Sequence, residues 1–173
     1  MHSDLDRTDL RILDALQAQA HLSAAEVAER LGMTASTCWR RITRLEELGV
    51  IRRRAAILDR EKLGLSVMVF SHVKVAGHGR EALLRFEQAV RKHPEILECY
   101  TLMGETDFLL RIVCRDIKAY EAFFLDHLSR FPGVQSVNSS IALAVIKETT
   151  ALPLHLGEAP APAGGGGGAS VGT

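Results

Sequence analysis

Three helical stretches and an extended segment, followed by elements in the order β-α-β-β-α-β, make this 173-residue chain an α+β protein of two domains. The first observation behind that reading is the run SAAEVAERLGMTASTCWRRITRLEEL, residues 23–48, two amphipathic helices joined by a tight turn. The second is the change, from Leu65 on, to strand-length apolar runs alternating with helical periods. The third is composition: 47% hydrophobic residues are ample for soluble cores, and the longest apolar runs are only strand-length. The N-terminus MHSDLDRTD is polar and acidic where a signal peptide is basic and then apolar, so a cytoplasmic location without a membrane span is expected.

In the first domain, residues 1–60, Leu5, Leu10, Ile12, Leu13 and Leu16 outline a bracing helix that starts near Asp6 or Asp9. Ser23 caps the second helix, and Glu26, three residues on, closes a capping box. Val27, Ala28 and Leu31 follow at helical spacing until Gly32, where a left-handed residue is cheap. Thr34 offers the next cap. Beyond it Cys38, Ile42, Leu45 and Leu48 fall along one stripe, while Ser36, Thr37, Arg40, Thr43, Arg44 and Glu47 project from the other side at about 100° per residue. Trp39 flanks the apolar stripe, and a packing role is expected for it. Gly49 closes the helix and Val50–Leu58 reads as extended, giving a winged three-helix unit that ends in the turn Asp59–Gly64.

The second domain, residues 61–153, begins with a strand over Ser66–Val75. A helix over Arg80–His93 carries Leu83, Leu84, Phe86 and Val90 and stops before Pro94. Ile96–Met103 and Asp107–Cys114 flank the short loop Gly104-Glu105-Thr106, a hairpin signal. Asp116 caps a helix with Ile117, Tyr120, Phe124, Leu128 and Phe131 facing inward until Pro132-Gly133, and Val134–Ile146 is the last strand. This order is the ferredoxin-like split unit. Alternation in the hairpin sets Leu97, Cys99, Met103, Phe108, Leu110, Ile112 and Cys114 on one face and Tyr100, Leu102, Leu109 and Val113, with Glu98 and Arg111, on the other. Two helices cover only one side of four strands, so the second face is expected to pack against another copy of the chain. Residues 154–173 form a Pro/Gly-rich stretch that cannot bury a core and is expected to be a disordered tail.

Charge points to a partner. Residues 30–60 hold eight arginines against three acids, a net of +5, whereas residues 1–29 hold two against six, a net of −4, in a chain balanced at 21 against 21. Two short helices with a basic second one match a helix-turn-helix whose second helix enters the major groove of double-stranded DNA. Thr34, Ser36, Thr37, Arg40, Arg41 and Arg44 are the expected contacts from that helix, with Arg52, Arg53 and Arg54 gripping phosphates beside it. Cys38, Cys99 and Cys114 contain no C-x-x-C pair, and the seven histidines show no ligand spacing, so reduced core cysteines and no metal site are expected. With no G-x-S-x-G, no phosphate-binding loop and no paired carboxylates, the chain does not read as an enzyme. An RNA-binding sheet needs stacked aromatics on one face, whereas Tyr100 and Phe108 fall on opposite faces.

Over residues 4–152 the chain resembles the Lrp/AsnC, or feast/famine, family of bacterial and archaeal transcription regulators. The resemblance is carried by Leu5-Asp6-Arg7-Thr8-Asp9 with Ile12-Leu13, by Cys38-Trp39-Arg40-Arg41-Ile42 with Arg44-Leu45-Glu46, and by Gly49-Val50-Ile51. In the second domain its carriers are Gly104-Glu105-Thr106-Asp107-Phe108-Leu109-Leu110, Ala119-Tyr120, Pro132-Gly133-Val134 and the closing Ile146–Pro153 run. It implies a RAM/ACT-like second domain and a dimer that assembles into tetramers or octamers on promoter DNA. It also implies an amino-acid effector, and no other cofactor, bound between dimers. The effector site would be Met103, Gly104, Glu105, Thr106 and Asp107, joined by Ser139 or Ser140 of a neighbouring subunit's last strand. Asp107 would pair with the ammonium group, and N–H groups near Gly104 and Thr106 would hold the carboxylate. Glu105 and Thr106 depart from the family's Gly-Asp-aromatic-Asp turn. A tight hairpin with a capping Asp is the alternative for the loop, and an architectural DNA-organising protein without effector control is the alternative for the whole.

Overall fold

Side-chain caps fix where the first three helices begin. In the computed structural model, which describes residues 5–76 and 79–154, α1 (Arg7–Ala18) starts at a reciprocal capping box. The Asp9 N–H donates to Asp6 Oδ1 at 2.8 Å, and the Asp6 N–H donates to Asp9 Oδ2 at 3.2 Å. Ser23 and Glu26 repeat the device for α2 (Ala24–Leu31), and Thr34 caps α3 (Ala35–Glu47). Gly32, at φ 68°, ends α2 in the left-handed region that costs glycine nothing. Ile12, Leu16, Leu22, Val27, Cys38, Ile42 and Leu45 close the core between these helices.

Two residues of α3 depart from expectation. Leu48 is half-exposed because the helix ends at Glu47 and the apolar stripe ends with it. Trp39 is 62% exposed rather than packed. It sits about 90° around the helix from the middle of the Cys38–Ile42–Leu45 stripe, and the core closes without it.

Asp9 is fully buried, yet it is charged and shared. Its carboxylate accepts from Arg41 Nη1 at 2.8 Å and Arg44 Nη1 at 3.2 Å, and the same Arg41 nitrogen reaches Asp6 at 2.7 Å. The first turn of α1 is thereby bolted to the middle of α3. Residues 52–59 follow with neither helix nor strand. The chain divides into two units, one built from the residues up to Ala56 together with those from Glu148 on, the other from Ile57–Lys147. In the first unit Gln17 clamps the backbone of Leu152, with Nε2 donating to its carbonyl and Oε1 accepting its N–H, both at 2.9 Å. The tail expected from residue 154 lies, from 155 on, outside the described residues.

The second unit is an antiparallel sheet of β1 (Val67–Val75), β2 (Ile96–Thr101), β3 (Phe108–Cys114) and β4 (Val134–Ile141) in the order β2-β3-β1-β4. α4 (Arg80–Val90) follows β1, and α5 (Ile117–Asp126) follows β3. The core gathers Val69, Val73, Phe86, Phe108, Leu110, Ile112, Phe123 and Leu128. Several details differ from the sequence reading, beyond α4 ending at Val90 and β2 at Thr101. The register shifts between Ile96 and Glu98, so Ile96 pairs with Ile112 and Leu97 is left half-exposed. Ile117, at the first turn of α5, is exposed and Phe123 takes a core place; α5 stops at Asp126, and a one-turn 3-10 helix, Leu128–Arg130, brings Leu128 and Phe131 inward. β4 stops at Ile141 rather than at Ile146. Asp107 also turns back onto the sheet. Its Oδ2 accepts the N–H of buried Val75 at 2.8 Å, at the register shift between β1 and β4, and its own N–H donates to the Val73 carbonyl at 3.0 Å.

Replacing Asp9 with Ala leaves two arginines without their shared carboxylate. Because both can partly re-solvate, the expected loss is about 2–3 kcal/mol, below the full cost of breaking a buried pair, read from urea unfolding. The Asp9 N–H and then the Arg41 guanidinium hold the Asp6 carboxyl below its ordinary value, and Ser23 does the same for Glu26. Acids whose folded pKa is depressed add stability above their ordinary values, near 4, and lose it as the pH falls through the folded ones. The melting temperature should therefore drop below about pH 4, and less steeply in an Asp6→Asn, Glu26→Gln variant. Asp107→Ala strands the buried Val75 N–H and should cost about 1–3 kcal/mol in the same unfolding experiment.

Candidate nucleic-acid interface and effector loop

The six arginines between positions 40 and 54 fall into two groups. Arg41 and Arg44 are held by Asp9, and Arg54 is held by Glu46 at 3.2 Å and by the Leu22 carbonyl at 3.4 Å. Arg40, Arg52 and Arg53 are exposed, and among the described residues no ion pair or hydrogen bond holds them. Helical geometry explains the split on α3. Arg41 and Arg44 lie on the flank turned to α1, whereas Arg40, Ser36 and Glu47 lie opposite the core stripe. Thr34 and Thr37 are tied to each other by their hydroxyls at 2.8 Å and by the Thr37 N–H at 3.3 Å, so their side chains complete the cap. The nine residues singled out from the sequence thus do not form one set.

In the second unit the loop between β2 and β3 projects from the sheet. The Met103 side chain is fully exposed, and a Cβ built on Gly104 meets nothing within 4 Å. Thr106 Oγ1 lies 3.4 Å from His72 Nδ1, a neighbour that the sequence did not bring to it. The signal for His72 was strand alternation, which sets Phe70, His72 and Lys74 on the face of β1 away from the core. Asp107 belongs to the sheet rather than to the loop's open side. Ser139 and Ser140 cannot share a pocket, because consecutive strand residues face opposite ways. Ser139 hydrogen-bonds buried Ser71 at 3.0 Å and Tyr120, whereas Ser140 is exposed and pairs in register with Phe70.

The face of the sheet away from the core carries Phe70, His72, Tyr100 and Leu109 around an ion pair, Arg111 Nη2 to Glu98 at 2.6 Å. The Tyr100 hydroxyl donates to the same Glu98 at 3.0 Å, and that carboxylate pushes its pKa up. Phe108 is buried on the opposite face. The three cysteines are free, and burial raises the thiols of Cys38 and Cys114. Among the described residues no cluster of three ligands could hold a metal, and no helix is long and apolar enough to cross a membrane.

Comparison with known proteins matches both units. A family model for winged helix-turn-helix DNA-binding domains matches residues 5–52, and the model for the Lrp/AsnC ligand binding domain matches residues 68–152. The chain is 37% identical over 150 residues to the DNA-binding transcriptional activator DecR of Escherichia coli K12, covering 87% of this chain and 99% of that protein. It is 38% identical over 150 residues to the glutamate uptake regulatory protein of Zymomonas mobilis, covering 87% and 91% respectively. The crystal structure of a transcriptional regulator from Neisseria meningitidis in complex with L-Met superposes with a TM-score of 0.83 at 42% identity, covering 88% of this chain and 99% of that one. With its DNA-binding fold, its four-stranded antiparallel second unit and relatives matched along nearly their whole length, the chain belongs to the Lrp/AsnC family of DNA-binding transcription regulators.

Proposed function

We propose that Arg40 and Ser36 meet base edges in the major groove while Arg52 and Arg53 grip phosphates, with Thr34 and Thr37 holding the helix start that presents them. The partition of the arginines carries this reading. Three guanidinium groups are consumed by Asp9 and Glu46, and the three left without ion pairs are the ones available to DNA. Arg41, Arg44 and Arg54 position the recognition helix and the segment after it.

The DNA-binding unit is brought to its site as a dimer through the sheet face that bears Phe70, Tyr100 and Leu109, and dimers assemble further. The effector is a free amino acid, held between dimers by the backbone of the Met103–Thr106 loop and not by the Asp107 carboxylate. L-Met bound to the Neisseria relative supports that ligand class, and the exposed, uncrowded loop supports that place. The protein works in the cytoplasm and catalyses no reaction.

The test is fluorescence anisotropy of a labelled duplex selected from a randomised pool, titrated with the full chain at several salt concentrations, with and without each amino acid, L-methionine first. Arg40→Ala should lose about 1–3 kcal/mol on the selected duplex and change which sequences are selected. Arg53→Ala should weaken selected and random duplexes alike and lower the salt slope by about one. Selected and random duplexes bound equally well by the wild type would favour an architectural role, and no response to any amino acid would remove the effector.

A further inference from the structure

Trp39 is the chain's one tryptophan, and its indole is 62% exposed on a helix whose other exposed side chains are small or polar. Among the described residues no aromatic ring stacks on it. An apolar surface this large is a poor choice for a face that meets only water. Helical side chains lean toward the N-terminus, which carries the indole over the turn of Ala35 and Ser36, two of the smallest side chains of α3. Nothing on the helix itself covers it there. That N-terminal part of a recognition helix is the part that reaches base edges, and Trp39 lies beside Arg40, whose guanidinium has no ion-pair partner. The major groove offers an indole one apolar feature, the 5-methyl group of thymine, with base acceptors nearby for its ring N–H.

We infer that Trp39 is a specificity-determining residue, one that reads thymine by apolar contact with its 5-methyl group next to the base contacts of Arg40. The inference rests on the DNA-binding role proposed above. It divides the recognition face into a cationic reader and an apolar one. Arg40 suits the acceptors of guanine, and the indole suits the single methyl that marks thymine.

The experiment uses the full chain and a duplex selected from a randomised pool. Each thymine is replaced in turn by deoxyuridine, which removes only the methyl group. Wild-type affinity, read by anisotropy, should fall about fourfold at one or two positions of each half-site, the worth of one buried methyl. Trp39→Ala should bind the thymine and uracil duplexes with one affinity, and Trp39→Phe should keep part of the difference. The lone indole also reports directly, and its emission should change in step with the anisotropy as duplex is added. Thymine sensitivity that persists in Trp39→Ala, its absence from the wild type, or emission unmoved at saturating duplex overturns the inference and leaves DNA binding intact. Emission that follows protein concentration instead of duplex also overturns it, in favour of a contact between copies. Failure of the wild type to bind any duplex overturns both readings.

Discussion

One buried carboxylate sets the geometry of the DNA-binding unit. Asp9 accepts the Asp6 N–H that completes the cap of α1, and it also accepts two guanidinium groups from α3. A fully buried anion is costly unless its oxygens are filled, and here three donors from two elements fill them. The same bonds fix the rotation of α3 about its own axis. With Arg41 drawn to the α1 side, the residue before it, Arg40, is turned about 100° away toward solvent. The acid that begins the first helix therefore decides what the third helix shows to DNA.

Much of this was legible because it is local. Ser23 with Glu26, Thr34, Gly32 and Asp116 announce helix ends through bonds that span three residues or one backbone conformation, and each sits where it was read. The succession β-α-β-β-α-β was legible as well, since apolar periods of two and of 3.6 alternate along the chain. What the sequence concealed depends on partners distant along the chain. The partnership of Arg41 and Arg44 with Asp9, more than thirty positions earlier, is announced by no local rule. Leu97 looks like a core residue until the bulge beside it shifts the register by one. Trp39 flanks the apolar stripe of α3, and whether a flanking residue packs depends on how far the neighbouring helices extend around it.

The effector loop shows the same limit at a finer scale. Gly104-Glu105-Thr106 was readable as a turn, but the direction of the Asp107 side chain was not. An aspartate after a turn can cap the turn, face a ligand or complete a neighbouring strand. Here the β1–β3 ladder ends at the Val73–Phe108 pair, and Asp107 accepts the Val75 N–H just beyond it. Its Oδ2 is thereby a component of the sheet, bonded to the neighbouring strand.

The Gln17–Leu152 clamp gives the molecule an insertion topology, with one unit interrupting the other in sequence. Closing the first unit around an unfolded insert of about 91 residues carries a loop entropy that grows with the logarithm of its length. Once the insert folds, Val69 and Ile141 are paired neighbours, and the loop that remains is about 18 residues, which lowers the closure cost by roughly 1.4 kcal/mol. Folding of the ligand-binding unit thus raises the effective concentration of the C-terminal segment at α1 by about tenfold. Loosening of β1 and β4 would weaken that segment's hold on the helix that positions the DNA reader by about the same tenfold, a coupling carried by the path of the chain.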